Sequence, residues 1–170
     1  VTYDGKEHEV VITGTLPEGV TVSYKNNKGT NVGTYNGVAT FTGSGNYTGT
    51  ASLEATLTIA NKSLEDLTEE DLEKLLNVEY NDKTVTYDGN EHSVVIEGEL
   101  PEGVTVSYAN NKGTNAGTYN GVATVVGTGN YAGEAELTAK LTINPREVTE
   151  DELLNELKVT FEDKTVTYDG

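Results

Sequence analysis

Residues Val1 to Ile59 align with Val85 to Ile143 without a gap, and about three quarters of the paired positions carry the same residue. Nothing else in the chain constrains the fold as strongly, because a self-similar stretch of this kind is one structural unit used twice. After Ile59 the correspondence resumes at a shorter spacing, with Thr68 answering to Thr149 and Val85 to Val166. The pentapeptide Val-Thr-Tyr-Asp-Gly therefore stands at Val1 to Gly5, Val85 to Gly89 and Val166 to Gly170. The chain reads as a window on a tandem array, framed out of phase with its units. Residues 1–60 are a first repeat lacking its N-terminal part, 61–67 a linker, 68–144 a second repeat opened by a short helix at 68–76, and 145–170 the helix and first strand of a third.

Thr, Val and Tyr suit pleated strands, whereas Gly and Asn suit turns, so 19 Gly and 10 Tyr beside only 3 Pro point to a β-rich unit. With no Cys there is no disulfide framework and no thiolate metal site, and stability must come from packing. A formal charge of -17 repels phosphates and anionic lipid heads, which argues against nucleic acid as a partner. No apolar run is long enough to insert in a membrane as a helix.

Within the second repeat, Thr68 precedes an acidic turn, Glu69-Glu70-Asp71, and then Leu72, Leu75 and Leu76 at helical spacing. Thr68 can cap the first amides and the acids meet the positive end of the peptide dipoles, so a short helix is predicted. The device recurs as Thr149-Glu150-Asp151-Glu152-Leu153-Leu154. Helices this short need a surface to pack on, and a sheet is the obvious one. Period-2 alternation predicts strands at Val78 to Tyr80, Thr84 to Tyr87, His92 to Glu97, Val104 to Tyr108, Gly117 to Val126 and Ala135 to Ile143, the last with Ala135, Leu137, Ala139, Leu141 and Ile143 inward. Asn110 to Asn115 is predicted as a loop, and Asn120-Gly121 as a type I′ hairpin turn or a bulge. The fold class is all-β: tandem small β-sandwiches of Ig-like type with one short helix per repeat at the inter-repeat junction, or alternatively a β-grasp-like sheet packed on that helix.

The ordered motifs Thr84-Val-Thr-Tyr-Asp-Gly89, Leu100-Pro-Glu-Gly-Val-Thr-Val-Ser-Tyr108, Asn111-Lys-Gly-Thr-Asn-Ala-Gly-Thr-Tyr119, Gly129-Asn-Tyr131 and Leu137-Thr-Ala-Lys-Leu-Thr-Ile143 give the repeat a resemblance to the MBG and YDG-type domains, "mostly beta, glycine-rich" tandem repeats of bacterial surface proteins. The resemblance implies an extracellular, cell-wall-anchored setting and a non-enzymatic structural stalk or spacer that extends a distal binding region. The alternative it leaves is an adhesive module whose repeats bind host glycoprotein, mucin or neighbouring cells. It brings no catalytic, cofactor-binding or metal residues with it.

The chemistry-bearing residues point the same way. His8 and His92 stand beside Glu7 and Glu91 and four residues after Asp4 and Asp88, too few ligands for a structural zinc. Calcium suits the oxygen-rich composition better, but the spaced Asp-x-Asp-x-Asp-Gly loop is missing, and no cofactor is expected. Gly43 to Tyr47 and Gly127 to Tyr131 resemble phosphate loops, yet a strand rather than a helix follows them. Ser23 and Ser107 are expected to be polar strand residues rather than nucleophiles, and Lys28, Lys112, Lys83 and Lys164 solvated rather than joined to Asn by isopeptide bonds. Tyr24, Tyr35, Tyr47, Tyr108, Tyr119 and Tyr131 are assigned to the core in preference to a sugar-stacking surface. The expected partners are neighbouring repeats of the same chain, with residues 159–170 adding as a strand to the first repeat of another molecule.

Overall fold

A computed structural model describes residues 1–170. The first unit contains β1 (His8–Glu9), β2 (Val20–Lys25), β3 (Lys28–Gly29), β4 (Gly33–Gly43) and β5 (Thr50–Ile59). The second has the same five strands as β8, β9, β10, β11 and β12, preceded by β6 (Lys62–Ser63) and α1 (Glu69–Leu76), which have no counterpart in the first, and by β7 (Lys83–Thr86), whose place in the first is held by a parallel bridge from Thr2 to Ala60. The five repeated strands run β8 (His92–Ser93), β9 (Val104–Ala109), β10 (Lys112–Gly113), β11 (Gly117–Gly127) and β12 (Tyr131–Asn144), and α2 (Glu150–Leu157) follows.

The long strands pair antiparallel in the order β2-β4-β5 and, identically, β9-β11-β12. On the outer edge of β12 two segments add in parallel, β6 against Tyr131 and Ala132 and β7 against Leu141 to Asn144. Because strand side chains alternate, Leu137, Ala139, Leu141 and Ile143 of β12 share a face with Ala123 and Val125 of β11, and all are buried. The layer on that face is α1 together with the short β8–β10 pair. The second unit thus takes the sheet-on-helix arrangement within an all-β frame. The helix is a core element of that unit rather than a piece of the junction.

Local chemistry explains why α1 forms where it does. The Thr68 hydroxyl accepts from the Asp71 amide at 3.1 Å, three acids fill the first turn, and Asn77 ends the helix in the left-handed region at φ 55°. Its buried stripe is Leu72 and Leu76, each worth about 1.5–3 kcal/mol in transfer from water. Polar ties fix its place: Thr138 of β12 donates to Glu69 at 2.9 Å, and Glu73 accepts from the Tyr80 amide at 2.8 Å.

Several local expectations change. Asn120-Gly121 is neither a turn nor a bulge, since β11 runs through it in unbroken register, Asn120 opposite Lys140 and Gly121 opposite Ala139. The glycine is required for a close approach instead. A Cβ on Gly121 would stand 2.6 Å from the Tyr80 hydroxyl and 3.0 Å from the Asn111 Cα. The segment predicted as a loop at Asn110 to Asn115 contains β10, while the strand predicted for His92 to Glu97 keeps regular pairing only at β8 and a bridge from Glu97 to Glu79. That bridge is also all that forms of the strand predicted at Val78 to Tyr80. Residues 61–67, expected as a linker, include β6 and the fully buried Leu64, which belongs to the second unit's core.

Candidate functional site

The first unit lacks any covering element over the face that α1 closes in the second. There β4 and β5 present Gly37, Ala39, Leu53 and Ala55 as the floor of a groove of about 310 Å³, walled by Val10 to Thr13, Tyr24 and Asn27. The wall is held rigidly. Asn27 donates from its side-chain amide to the Val10 carbonyl at 3.0 Å, and its own carbonyl accepts from the Val10 amide at 2.8 Å. The Tyr24 hydroxyl accepts from the Ile12 amide at 3.2 Å. The second unit repeats all three contacts, Asn111 with Val94 at 2.8 and 2.9 Å and Tyr108 with Ile96 at 3.0 Å. The two frames are therefore alike and differ in what lies inside them. Leu137 is 1 % exposed beneath α1, whereas its counterpart Leu53 is 62 % exposed.

The elements that cover the second unit recur in sequence after β12. Leu153, Leu157, Val159 and Phe161 stand in the positions of Leu72, Leu76, Val78 and Tyr80, and all four are exposed. The helix that carries the first two is well capped by a reciprocal Thr149–Glu152 pair, which holds the Glu152 carboxyl below its ordinary range through the Thr149 amide and hydroxyl. It buries none of its residues. Residues 158–170 form no strand, and the place expected for 166–170 is already taken. Val1 to Tyr3 pair with Thr58 and Ala60 of the first unit as Val85 to Tyr87 pair with β12, so the expected addition of that end of the tail meets a filled edge.

A second site is the seam between the units. Asn130 accepts from the Val32 amide at 2.8 Å and donates to the Asn31 side chain at 3.0 Å, and its carbonyl accepts from the Lys62 amide at 2.9 Å. Tyr131 meets Tyr3 edge to face, ring centroids 5.6 Å apart at 76°, and burial pushes its phenol up. The glycine-rich loop that resembles a phosphate cradle thus carries the seam residues. Its hydroxyl, on Thr128, donates to Gly103 at 3.0 Å, and that of Ser44 in the first unit donates to Gly19 at the same distance. Sequence reasoning missed this role, for which the only signal was an Asn-Tyr pair following a turn that needs no aromatic.

The remaining candidates stay apart. His8 and His92 each meet one carboxylate, Asp4 and Asp88, at 2.9 Å. Asp88 is held at about 2, first by the Asn90 amide, then by the Asn90 side chain and His92; Asp4 is lowered mainly by the Lys6 amide and then His8. Ser23 lies opposite Thr40 and Ser107 opposite Thr124 in the sheets, while the histidines lie on β1 and β8. Lys28 and Lys112 pair with Glu7 and Glu91 at 2.9 and 3.3 Å, and Lys83 donates to the Ser93 carbonyl at 3.3 Å. The tyrosines divide. Tyr131 is buried, Tyr35 and Tyr119 are half-buried with hydroxyls donated to Asn31 and Asn115, and Tyr24, Tyr47 and Tyr108 are exposed.

Two units built on the same β-sheet, the second with a helix in its core, joined end to end by a hydrogen-bonded seam, define a tandem repeat module. The family is then direct: a family model described as MBG domain matches residues 1–63 and again residues 77–147, and the chain belongs to the MBG domain family in two copies. Helix α1 falls between the two matched stretches. No curated protein matches the chain.

Proposed function

We propose that this chain is a structural spacer from a bacterial cell-surface protein, a non-enzymatic stalk whose repeats set a distal binding region away from the cell. The observation that carries it is the seam. Asn130, Tyr131 and β6 tie the head of one unit to the end of the one before, which sets their relative direction as a spacer requires. The MBG membership supports a surface setting, and the formal charge of -17 supports a solvated exterior that does not cling to neighbouring chains. The partners on this reading are neighbouring units, in the same chain or in another molecule.

Small-angle scattering tests it, on this chain and on versions carrying further repeats, with and without calcium. A maximum dimension that rises by a constant increment of roughly a domain length per added repeat supports the spacer. Collapse to a compact particle overturns it and turns attention to the adhesive alternative. That alternative needs a continuous aromatic surface, whereas Tyr24 and Tyr108 are each pinned through the hydroxyl to their own unit's backbone.

A further inference from the structure

We propose that the outer edge of β9, with its counterpart β2 in the first unit, is a pairing edge for the same strand of a second copy of this chain, the two strands lying antiparallel with Val106 opposite Val106. The pairing goes beyond the spacer reading and is independent of it.

The edge recurs in both units and is built the same way in each. Strand β9 pairs with β11 on one side only, as β2 pairs with β4. The Thr128 amide donates to the Gly103 carbonyl at 2.7 Å, and because bonded and non-bonded pairs alternate along an antiparallel ladder, this contact sets the phase. Thr105 and Ser107 bond to β11, whereas Val104, Val106 and Tyr108 turn their amides and carbonyls outward. The Val104 amide is taken up by the Pro101 carbonyl at 3.1 Å, and those of Val106 and Tyr108 meet no acceptor. In the first unit Ser44 donates to Gly19 at 2.6 Å and Val20 to Pro17 at 3.1 Å, leaving Val22 and Tyr24 in the same state.

The opposite edge of the same sheet is guarded. Strands β6 and β7 pair with β12, the Asp82 carboxylate accepts from the Lys140 amide between them at 2.6 Å, and β12 itself carries Glu134, Glu136 and Lys140. A bare strand edge is a template for another strand, and charges, proline or a bulge are what ordinarily blunt it. Strand β9 has none of these in a chain of formal charge -17, and β2 has only Lys25 at its end. Tyr108, and Val95 next to the Ile96 amide that Tyr108 accepts from, are both exposed beside this edge, as are Tyr24 and Val11 in the first unit.

A second β9 is the occupant that this edge fits. With the strands turned antiparallel about Val106, the Val106 amide of each copy meets the Val106 carbonyl of the other, and the Tyr108 amide meets the Val104 carbonyl, so the unpaired donors are used. In that register Val104 faces Tyr108 on the side of Ala123 and Val125, and Thr105 faces Ser107 on the other. Apolar meets apolar, hydroxyl meets hydroxyl, and no charge stands opposite a charge. Strand β2 opens with the same Val-Thr-Val-Ser-Tyr, so either edge accepts either. The contact is isologous and closes on itself, and the charge of -17 on each copy makes it one that salt strengthens.

Sedimentation of the full chain from micromolar to millimolar concentration, with amide exchange read on the same samples, tests the proposal. Wild type is expected to associate, several-fold more tightly with added salt, and the Val106, Tyr108, Val22 and Tyr24 amides should gain protection as it does. A chain with Thr21→Lys, Ser23→Lys, Thr105→Lys and Ser107→Lys changes exposed positions and so keeps the fold, but sets Lys opposite Lys in the register. It should stay monomeric even though its net negative charge is smaller. The matching chain with Thr21→Glu, Ser23→Glu, Thr105→Glu and Ser107→Glu should also stay monomeric alone, and the two mixed should pair. A wild type that remains monomeric at every salt concentration, or a Lys chain that associates as wild type does, overturns the pairing. Failure of the mixed chains to pair overturns the antiparallel register on which it rests. Monomeric wild type whose Val106 and Tyr108 amides are protected by an added Lys-rich peptide overturns it in favour of a strand from a different protein.

Discussion

Leu53 and Leu137 occupy the same place in the same strand of the same frame, and one is in water while the other is in a core. The two units differ little in the sequence of their sheets. They differ in whether a capped helix and the short segment after it lie on the inner face. The comparison teaches that burial here is a property of the covering segment, and that a repeat boundary drawn on strand similarity alone cuts the hydrophobic unit in two. The matched family stretches make the same cut, leaving α1 between them.

The sharpest way to break this comparison is to truncate the paired leucines. Leu137→Ala should cost the second unit about 2–5 kcal/mol, whereas Leu53→Ala should stay within about 0.5 kcal/mol, both read from hydrogen exchange in each unit. Equal costs would mean that the first unit's face is covered in solution. Next in size is Gly121→Ala, expected to cost roughly 1–3 kcal/mol because its Cβ would press on Tyr80, Val94 and Asn111. For Gly37→Ala the nearest atoms, on Asn27 and Val10, stand at 3.0 to 3.1 Å rather than 2.6 Å, and the cost should be smaller in a urea titration. Tyr80→Phe removes an unpaired buried hydroxyl and should raise the second unit's stability by about 1 kcal/mol; a loss instead would reveal a partner for that hydroxyl.

The smallest effect concerns the two Asp-Gly turns. Asp88 receives the Asn90 side chain at 3.1 Å, whereas Lys6 reaches Asp4 through its backbone amide alone. Folding lowers the Asp88 pKa from an ordinary 3.8 to about 2, so whatever it adds to stability is in place above 3.8 and is lost as pH falls toward 2. Carboxyl NMR titration should place Asp88 below Asp4, and Asn90→Lys should bring the two together.

What was legible in the sequence was what local chemistry decides. Thr68 before three acids located α1, and alternation in Leu137, Ala139, Leu141 and Ile143 gave the buried face of β12 correctly. What was not legible depended on distant partners. Asn120-Gly121 has the composition of a turn, but its glycine answers to Tyr80, far away in sequence. Leu64 sits in polar surroundings that resemble a linker, and only the pairing of Lys62 and Ser63 with β12 draws it inward. The open face of the first unit was legible only through the repeat comparison, in which residues 1–60 lack the helical part that opens the second repeat; Leu53 and Ala55 by themselves read like the floor of the filled unit.

Both segments on the outer edge of β12 run parallel to it, β6 at the strand's beginning and β7 at its end. If the polypeptide is drawn lengthwise, tension enters the second unit at Lys62 and leaves it at Asn144, pulling the paired strands in opposite directions along a common axis. Strands loaded in that way must slide, and the hydrogen bonds between them share the load instead of parting singly from one end as in an opened hairpin. Strands β9 and β11 lie beyond this path and carry little of the pull until the parallel edge gives way. The arrangement of that one edge sets the parallel pairs in shear along the line from Lys62 to Asn144.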